Sequence, residues 1–220
     1  MMTIKDSVAN RNIKNLFHFT TIDNFISILE REYIYSRKII DELKLSNDGY
    51  YTGDYVEHMD DQRLDNLTGF INLSISRPHW YLLNQFRKRT DLQHFDWCII
   101  ELNTKPLLQK NTLFSVCNAA SLTAKRYGIK TGKQAFNRMF QDKVVTPQKC
   151  YERQGMPRHF TTDIQAEVLV EDKISIDEIT NVYLENEEQL IKYKSAFKLL
   201  NLDTKLFSVK TEVFDRPIFR

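Results

Sequence analysis

The hydrophobic pattern predicts that short strands and amphipathic helices follow one another along the chain. Strand-like runs fall at residues 15–20 (NLFHFT), 70–76 (FINLSIS), 97–102 (WCIIEL), 113–117, 179–184 (ITNVYL) and 205–214. A helix is predicted after Thr20 or Thr21, either of which can act as its N-cap. One face of this helix carries Ile22, Phe25, Ile26 and Leu29. A second helix is predicted at residues 80–86. A third is capped by Asn186 with Gln189 three residues on, and its buried face is formed by Leu190, Tyr193, Phe197 and Leu200.

The stretch RHFTTDIQAEVLVEDK, residues 158–173, contains the most informative strand pattern. Residues 164–170 alternate, so that one face carries Ile164, Ala166, Val168 and Val170, and the other carries Gln165, Glu167 and Leu169. A carboxylate in the middle of an apolar strand is costly to bury without a partner. Either this is an edge strand whose second face meets water, or Glu167 is a cleft carboxylate with Gln165 beside it to hydrogen-bond the same ligand.

Length and composition predict that residues 1–220 form a single domain. The chain is 42% hydrophobic and 12% aromatic, and its 6 Gly and 5 Pro leave little room for a flexible linker.

Positive charge is concentrated in one part of the chain. The net charge is only +2, but residues 125–159 contain nine Lys or Arg against two Asp or Glu. Cations interleaved with Tyr127, Phe136, Phe140 and Tyr151 suit single-stranded nucleic acid, in which phosphates meet charge and bases stack on rings. The alternative at residues 134–140 is an amphipathic helix whose Phe136 and Phe140 enter the core. Residues 149–159 are predicted to form a loop.

Several kinds of site and location are excluded or disfavoured by the sequence. Three cysteines, Cys98, Cys117 and Cys150, are scattered without metal-ligand spacing, which indicates reduced thiols and no metal site. The first residues show no signal-peptide pattern and no stretch is long enough to span a membrane, so we expect a cytoplasmic protein. There is no GxGxxG or HExxH motif, and residues 128–133 do not fit a Walker A loop.

Three blocks in order along the chain, LFHFT, FSVCNAAS and QAEVLV, resemble the DarT family of DNA ADP-ribosyltransferases. The resemblance implies an α+β fold with an ADP-ribosyltransferase-like split mixed β-sheet core and flanking helices. It also implies NAD as co-substrate in the cleft between the two halves of the sheet, with no metal.

Site residues are implied by the same resemblance. Glu167 would be the catalytic carboxylate, which holds the ribose and deprotonates the acceptor. His18 and Thr20 would hold the nicotinamide half, with Gln165 also on the cofactor side, and Arg63 would neutralise phosphate and assist catalysis. From spacing alone, a lone histidine such as His18 at a strand end before a helix is more often structural, and it is the resemblance that favours a functional role. Asn118 is equally consistent with a structural and a functional role. The loop before Glu167 would contact DNA through Tyr151, Arg153, Arg158 and His159.

The acceptor and the biological partner follow from finer features of the resemblance. Residues 74–80 (SISRPHW) are more similar to the guanine-modifying branch of the family than to the thymine-modifying branch. The family further implies a toxin that acts on single-stranded DNA beside a de-ADP-ribosylating antitoxin of macrodomain or NADAR type. Two alternatives remain open, namely an RNA- or protein-modifying enzyme of the same fold and a non-catalytic single-strand-binding module.

Overall fold

Twelve strands and seven α-helices make up the part of the chain that the structure describes. This computed structural model describes residues 3–46, 66–90, 92–199 and 203–215. The strands are β1 (Leu16–Thr21), β2 (Tyr33–Tyr35), β3 (Phe70–Ile75), β4 (Trp97–Leu102), β5 (Leu113–Ser115), β6 (Lys130–Thr131), β7 (Lys143–Val145), β8 (Cys150–Glu152), β9 (Glu167–Glu171), β10 (Lys173–Ser175), β11 (Ile179–Leu184) and β12 (Phe207–Val209). The helices are α1 (Ile4–Arg11), α2 (Ile22–Arg31), α3 (Arg37–Ser46), α4 (Trp80–Arg87), α5 (Leu122–Tyr127), α6 (Gly132–Arg138) and α7 (Glu187–Leu199).

Eight strands form one mixed sheet in the order β12-β11-β4-β1-β3-β9-β5-β6. Among the strand pairs that the structure describes, only the outer pair, β11 and β12, is parallel. Two small antiparallel ladders, β2 with β10 and β7 with β8, lie outside it.

The sheet divides between β1 and β3. All six residues of β1 pair with β4, but only Leu16 and Phe17 pair with β3. From His18 onward β1 leaves β3, while residues 70–73 of β3 pair with β9. A cleft therefore opens between two half-sheets, as the predicted split sheet requires.

Elements with a strong local pattern are confirmed. The predicted strands at residues 15–20, 70–76, 97–102 and 179–184 correspond to β1, β3, β4 and β11, and the three predicted helices to α2, α4 and α7. Thr21 is the N-cap of α2, since its side chain accepts from the Asn24 N–H. The Asn186 side chain accepts from Gln189 N–H at 2.9 Å, and Phe197 is fully buried. Leu200, predicted to belong to the same buried face, lies outside the described residues.

Three strand and loop predictions need correction. β9 begins at Glu167 and not at residue 164, because residues 163–166 form a turn, and both faces of this interior strand are buried. The edge-strand interpretation of Glu167 is therefore wrong. The final strand is limited to Phe207–Val209 and is followed by a 3-10 turn. Residues 149–159 are not entirely loop, since β8 pairs with β7.

The largest apolar core lies against the sheet and includes the aromatic residues of the basic segment. Phe136 and Phe140, which are 0% and 4% exposed, belong to it. The Phe136 ring meets the Phe114 ring at 5.4 Å between centroids. At the other edge, Phe207 stacks on Phe197 at 4.9 Å. For Phe136 and Phe140 the core role predicted as the alternative is confirmed, so these rings are not available to bases.

Candidate active site

The carboxylate of Glu167 is buried and fixed by a backbone amide. Glu167 is the first residue of β9, lies opposite Ser115 of β5 and is 3% exposed. Its Oε2 accepts from the Ala119 N–H at 2.8 Å. Burial of an ionisable group without such a donor would be strongly unfavourable. The FSVCNAAS block and the QAEVLV block are thus in direct contact.

The turn that presents Ala119 is held by short-range hydrogen bonds. Ser115 Oγ donates to the Cys117 carbonyl at 2.6 Å, and Asn118 Oδ1 accepts from the Ala120 N–H at 2.9 Å. Ser121 then caps α5 by accepting from the Ala124 N–H at 3.1 Å. Asn118 therefore has a structural role, because it shapes the turn that supports Glu167.

A cavity of about 260 Å³ occupies the cleft between the half-sheets. Its wall combines residues of both halves, His18 and Thr20 from β1, Asn72 from β3 and Glu167 from β9. We call it the cleft cavity. The fold thus brings three of the predicted site residues, His18, Thr20 and Glu167, to one cavity.

His18 connects the two half-sheets through its ring. Its Nδ1 lies 3.0 Å from the Asn72 carbonyl oxygen, and because a carbonyl can only accept, Nδ1 carries the proton and donates. Burial lowers the pKa of His18, and the hydrogen bond to Asn72 opposes this in part. His18 is accordingly neutral at pH 7, with Nε2 as the ring nitrogen that remains for a ligand.

Thr20 belongs to a polar corner at the start of α2. Its hydroxyl accepts from Asn24 Nδ2 at 3.2 Å, and Thr20 and Asn24 are 7% and 8% exposed. Asn24 Oδ1 is buried and has no hydrogen-bond partner among the described residues. Asn24 also lines the cleft cavity, so its Oδ1 can accept a hydrogen bond from a ligand that binds there.

His79 is a functional candidate that sequence reasoning missed. It is 5% exposed, lines the cleft cavity and is the N-cap of α4, where Nδ1 accepts from the Leu82 N–H at 3.2 Å. Nε2 must then carry the proton, and it has no partner among the described residues. Burial lowers the pKa of His79 to about 4, so the ring is neutral. A histidine after Pro78, directly before a helical pattern, was the available signal.

A second, larger cavity of about 1020 Å³ is lined by residues of α4 and of the segment 162–165 directly before β9. We call it the α4 groove. Its wall carries aromatic, cationic and carboxylate side chains, including Trp80, Tyr81, Lys88, Lys149, Tyr151 and Asp163. Gln165 lines this groove and not the cleft cavity, although it is only two residues before Glu167. The two members of the predicted Gln165–Glu167 pair therefore lie in the walls of different cavities.

A buried pair of opposite charges lies in the wall of the α4 groove. Arg77 is 5% exposed, donates to the Thr161 carbonyl at 2.9 Å and lies 4.8 Å from the Phe160 ring. Burial lowers its pKa to about 10, which leaves it charged. Asp163 is 1% exposed, and burial raises its pKa to about 6 against the opposing effects of the Gln165 N–H and of Arg77 and Lys149.

Of the four residues predicted to contact DNA, only Tyr151 lines the α4 groove. The Arg153 guanidinium donates to the carbonyls of Phe160 (2.6 Å), Pro157 (3.0 Å) and Arg158 (2.9 Å), so it holds the loop together. Arg158 is exposed, and the His159 ring packs against Phe160 at 4.4 Å.

Arg63, predicted to neutralise phosphate, lies outside the described residues. Within the described part of the chain, no group of three or more His, Cys, Asp or Glu side chains could hold a metal ion. None of the described helices has both the length and the apolar character needed to cross a membrane.

Comparison with known proteins adds a family and a set of structural relatives. A family model described as "ssDNA thymidine ADP-ribosyltransferase, DarT" matches residues 17–215. No curated protein sequence matches the chain.

Solved structures share the fold at low sequence identity. Thermus sp. 2.9 DarT in complex with NAD+ is 9% identical with a TM-score of 0.58, over 91% of this chain and 97% of that one. The same protein in complex with ADP-ribosylated ssDNA is 9% identical with a TM-score of 0.57, over 93% and 97%. Thermosipho africanus DarTG in complex with ADP-ribose is 21% identical with a TM-score of 0.55, over 91% of this chain but 51% of that one. The predicted α+β split-sheet fold is confirmed.

Proposed function

Because this chain belongs to the DarT family of single-stranded-DNA ADP-ribosyltransferases, we propose that it transfers ADP-ribose from NAD to a base of single-stranded DNA with Glu167 as its catalytic carboxylate. The observation that carries the proposal is the position of Glu167. It is a buried carboxylate, oriented by the Ala119 N–H, in the wall of the cavity between the two half-sheets.

The reaction needs a fixed negative charge beside the ribose. The bond between C1′ of the ribose and the nicotinamide nitrogen breaks, and its electron pair leaves with nicotinamide. Positive charge then develops at the ribose, where a preorganised carboxylate stabilises it. A nitrogen of the acceptor base forms the new bond to C1′, and its proton passes to Glu167, which acts as the general base.

The cleft cavity suits the nicotinamide half of NAD. Ligand cavities commonly measure about 300–1,000 Å³, so a cavity of about 260 Å³ holds part of a dinucleotide. His18, Thr20, Asn24 and His79 line it, and two of them keep a buried polar atom without a partner among the described residues, Asn24 Oδ1 as an acceptor and His79 Nε2–H as a donor. A carboxamide offers both a donor and an acceptor. Arg63 remains our candidate for the phosphates.

The α4 groove suits the DNA strand. Trp80, Tyr81 and Tyr151 offer ring faces for stacking, and Lys88 and Lys149 offer charge for phosphates. Gln165 shares this groove, which supports a contact with the acceptor in place of the cofactor contact expected from the sequence.

We further propose guanine as the acceptor base, although the family description names thymidine. Guanine is supported by residues 74–80, which are more similar to the guanine-modifying branch, and by Asp163, a carboxylate in the wall of the α4 groove. A toxin role in the cytoplasm beside a macrodomain or NADAR antitoxin is part of the same proposal, and the relative from Thermosipho africanus, a DarTG, supports an antitoxin partner.

The test is incubation of the protein with labelled NAD and, in separate reactions, single-stranded DNA, RNA or lysate protein. Label on DNA alone is the expected result. Label on RNA or protein alone would support the alternative substrate classes. DNA binding without any transfer would support the non-catalytic module.

A further inference from the structure

Asp163 is a buried carboxylate that the proposed reaction does not use. It lies four residues before Glu167, is 1% exposed and lines the α4 groove. Oδ1 accepts from the Gln165 N–H at 2.8 Å, and no other hydrogen bond reaches the carboxylate from the described residues. A buried carboxylate with so few donors has unused acceptor capacity toward the groove.

Asp163 is mainly ionised at neutral pH, because burial raises its pKa only to about 6. Arg77, itself buried, and Lys149 both place positive charge near it. Lys149 lies 5.0 Å from the Tyr151 ring, so a cation, an aromatic face and a carboxylate occur together in one groove wall. Enzymes that act on a base commonly stack it on a ring and hydrogen-bond its Watson–Crick edge.

The four bases present different edges to a carboxylate, which only accepts hydrogen bonds. Guanine offers two adjacent donors, N1–H and the 2-amino group. Thymine offers a single N3–H between two carbonyl oxygens, which repel a carboxylate. Cytosine and adenine offer an amino group beside an unprotonated ring nitrogen.

From this arrangement we propose that Asp163 is the specificity-determining residue of the acceptor site and selects guanine by accepting from its two adjacent Watson–Crick donors. The proposal rests on the DNA transferase function above. A bidentate contact of this kind commonly discriminates against the wrong base by roughly tenfold or more.

A purely structural role for Asp163 is the competing account. Its contact with the Gln165 N–H is an Asx turn just before β9, which Asn or Ser can also form. Asp163→Asn therefore keeps the turn acceptor and the size while it replaces one oxygen by an NH₂ group, which opposes the donors of guanine. Asp163→Asn is therefore the variant that separates a structural role from base selection.

The experiment measures transfer from NAD to oligonucleotides that carry a single G, T, A or C in an otherwise constant context. Wild type should prefer G, and Asp163→Asn should lose at least ~10-fold of its kcat/KM on G relative to T. Binding of carba-NAD, a non-reactive analogue, should be unchanged in the variant. If Asp163→Asn loses carba-NAD binding, the same comparison is made with Asp163→Ser in its place.

The outcomes separate the proposal from the function on which it rests. Equal losses on all bases, or an unchanged ratio of G to T, would overturn the role of Asp163 while the transferase function stands. The same holds for a wild type that modifies thymine alone. A wild type that labels no oligonucleotide would overturn both.

Discussion

The Nδ1–H of His18 donates to the backbone carbonyl of Asn72 at 3.0 Å, across the point where β1 and β3 separate. A side chain in the cleft wall therefore also fixes the width of the cleft. The hydrogen bond therefore joins the two walls of the cleft cavity before a ligand binds against the His18 ring.

His18→Ala should reduce both the stability of the fold and the affinity for carba-NAD. Loss of one partly buried hydrogen bond costs about 1 kcal/mol, which corresponds to a melting temperature lower by about 2–4 °C in a chain of this size. His18→Gln can restore a donor to Asn72 and is the control. Thermal unfolding and calorimetric titration check the prediction, which fails if the alanine variant binds carba-NAD as wild type does.

His79→Asn should weaken carba-NAD binding without unwinding α4. Asn is a good N-cap, so the bond to the Leu82 N–H is retained. The Nε2–H donor is lost, and one neutral hydrogen bond corresponds to roughly a 2- to 12-fold change in affinity. Calorimetry measures the affinity and circular dichroism the helix. Equal affinity in the two proteins would show that Nε2–H does not contact the ligand.

The pKa of Asp163 predicts a pH dependence of stability. Its folded pKa is raised to about 6 from 3.8, so the folded state binds this proton more tightly than the unfolded state does. As pH rises from about 4 to about 6, wild type should therefore lose stability relative to Asp163→Asn, by up to about 3 kcal/mol. Arg77, whose pKa is lowered only to about 10, stays charged over this range, and burial raises the pKa values of Cys117 and Tyr151 away from it. Chemical denaturation at pH 4, 5, 6 and 7 tests this, and parallel curves for the two proteins would contradict it.

The salt dependence of single-stranded DNA binding should depend on cations of the α4 groove. Neutralising Lys88 and Lys149 should flatten the plot of log affinity against log salt by about 0.7 for each lost phosphate contact. Arg153 is unsuitable for this test because its guanidinium holds the 157–160 loop, so its removal should lower stability instead. Lys110 and Lys198, exposed and outside the groove, form the control pair. A slope that changes equally in both double variants would place the DNA elsewhere.

Local pattern predicted the elements whose hydrophobic period is long and regular. β1, β3, α2, α4 and α7 were predicted because their apolar residues repeat at the strand or helix period, and β4 because it is a continuous apolar run. The start of β9 was predicted too early because residues 164–166 continue the alternation of the strand. In the structure the Asp163 side chain accepts from the Gln165 N–H, and this hydrogen bond stabilises a turn there. β8 was missed since its partner β7 lies in a segment with no strong alternation of its own.

The site was predictable only in part, for physical reasons that differ between residues. The strand alternation drew attention to Glu167 but left two interpretations open, and the resemblance to a family decided between them. The same resemblance assigned the roles of His18 and Thr20. The role of Ala119 depends on a backbone N–H whose position is set by tertiary structure, so no local pattern indicates it. For His79 the position before a helix was a local signal, but the cavity that its ring lines is formed only by the tertiary structure.

Glu167→Gln tests the central claim most directly. Gln keeps an oxygen for the Ala119 N–H but can neither take a proton nor supply negative charge. The substitution should therefore weaken stabilisation of the transition state far more than binding of the substrates. We expect the rate of ADP-ribose transfer to DNA to fall by at least ~10²–10⁴, while carba-NAD affinity, DNA binding and melting temperature stay close to wild type. A variant that folds and keeps most of its transfer rate would contradict the assignment of Glu167 and, with it, this account of the reaction.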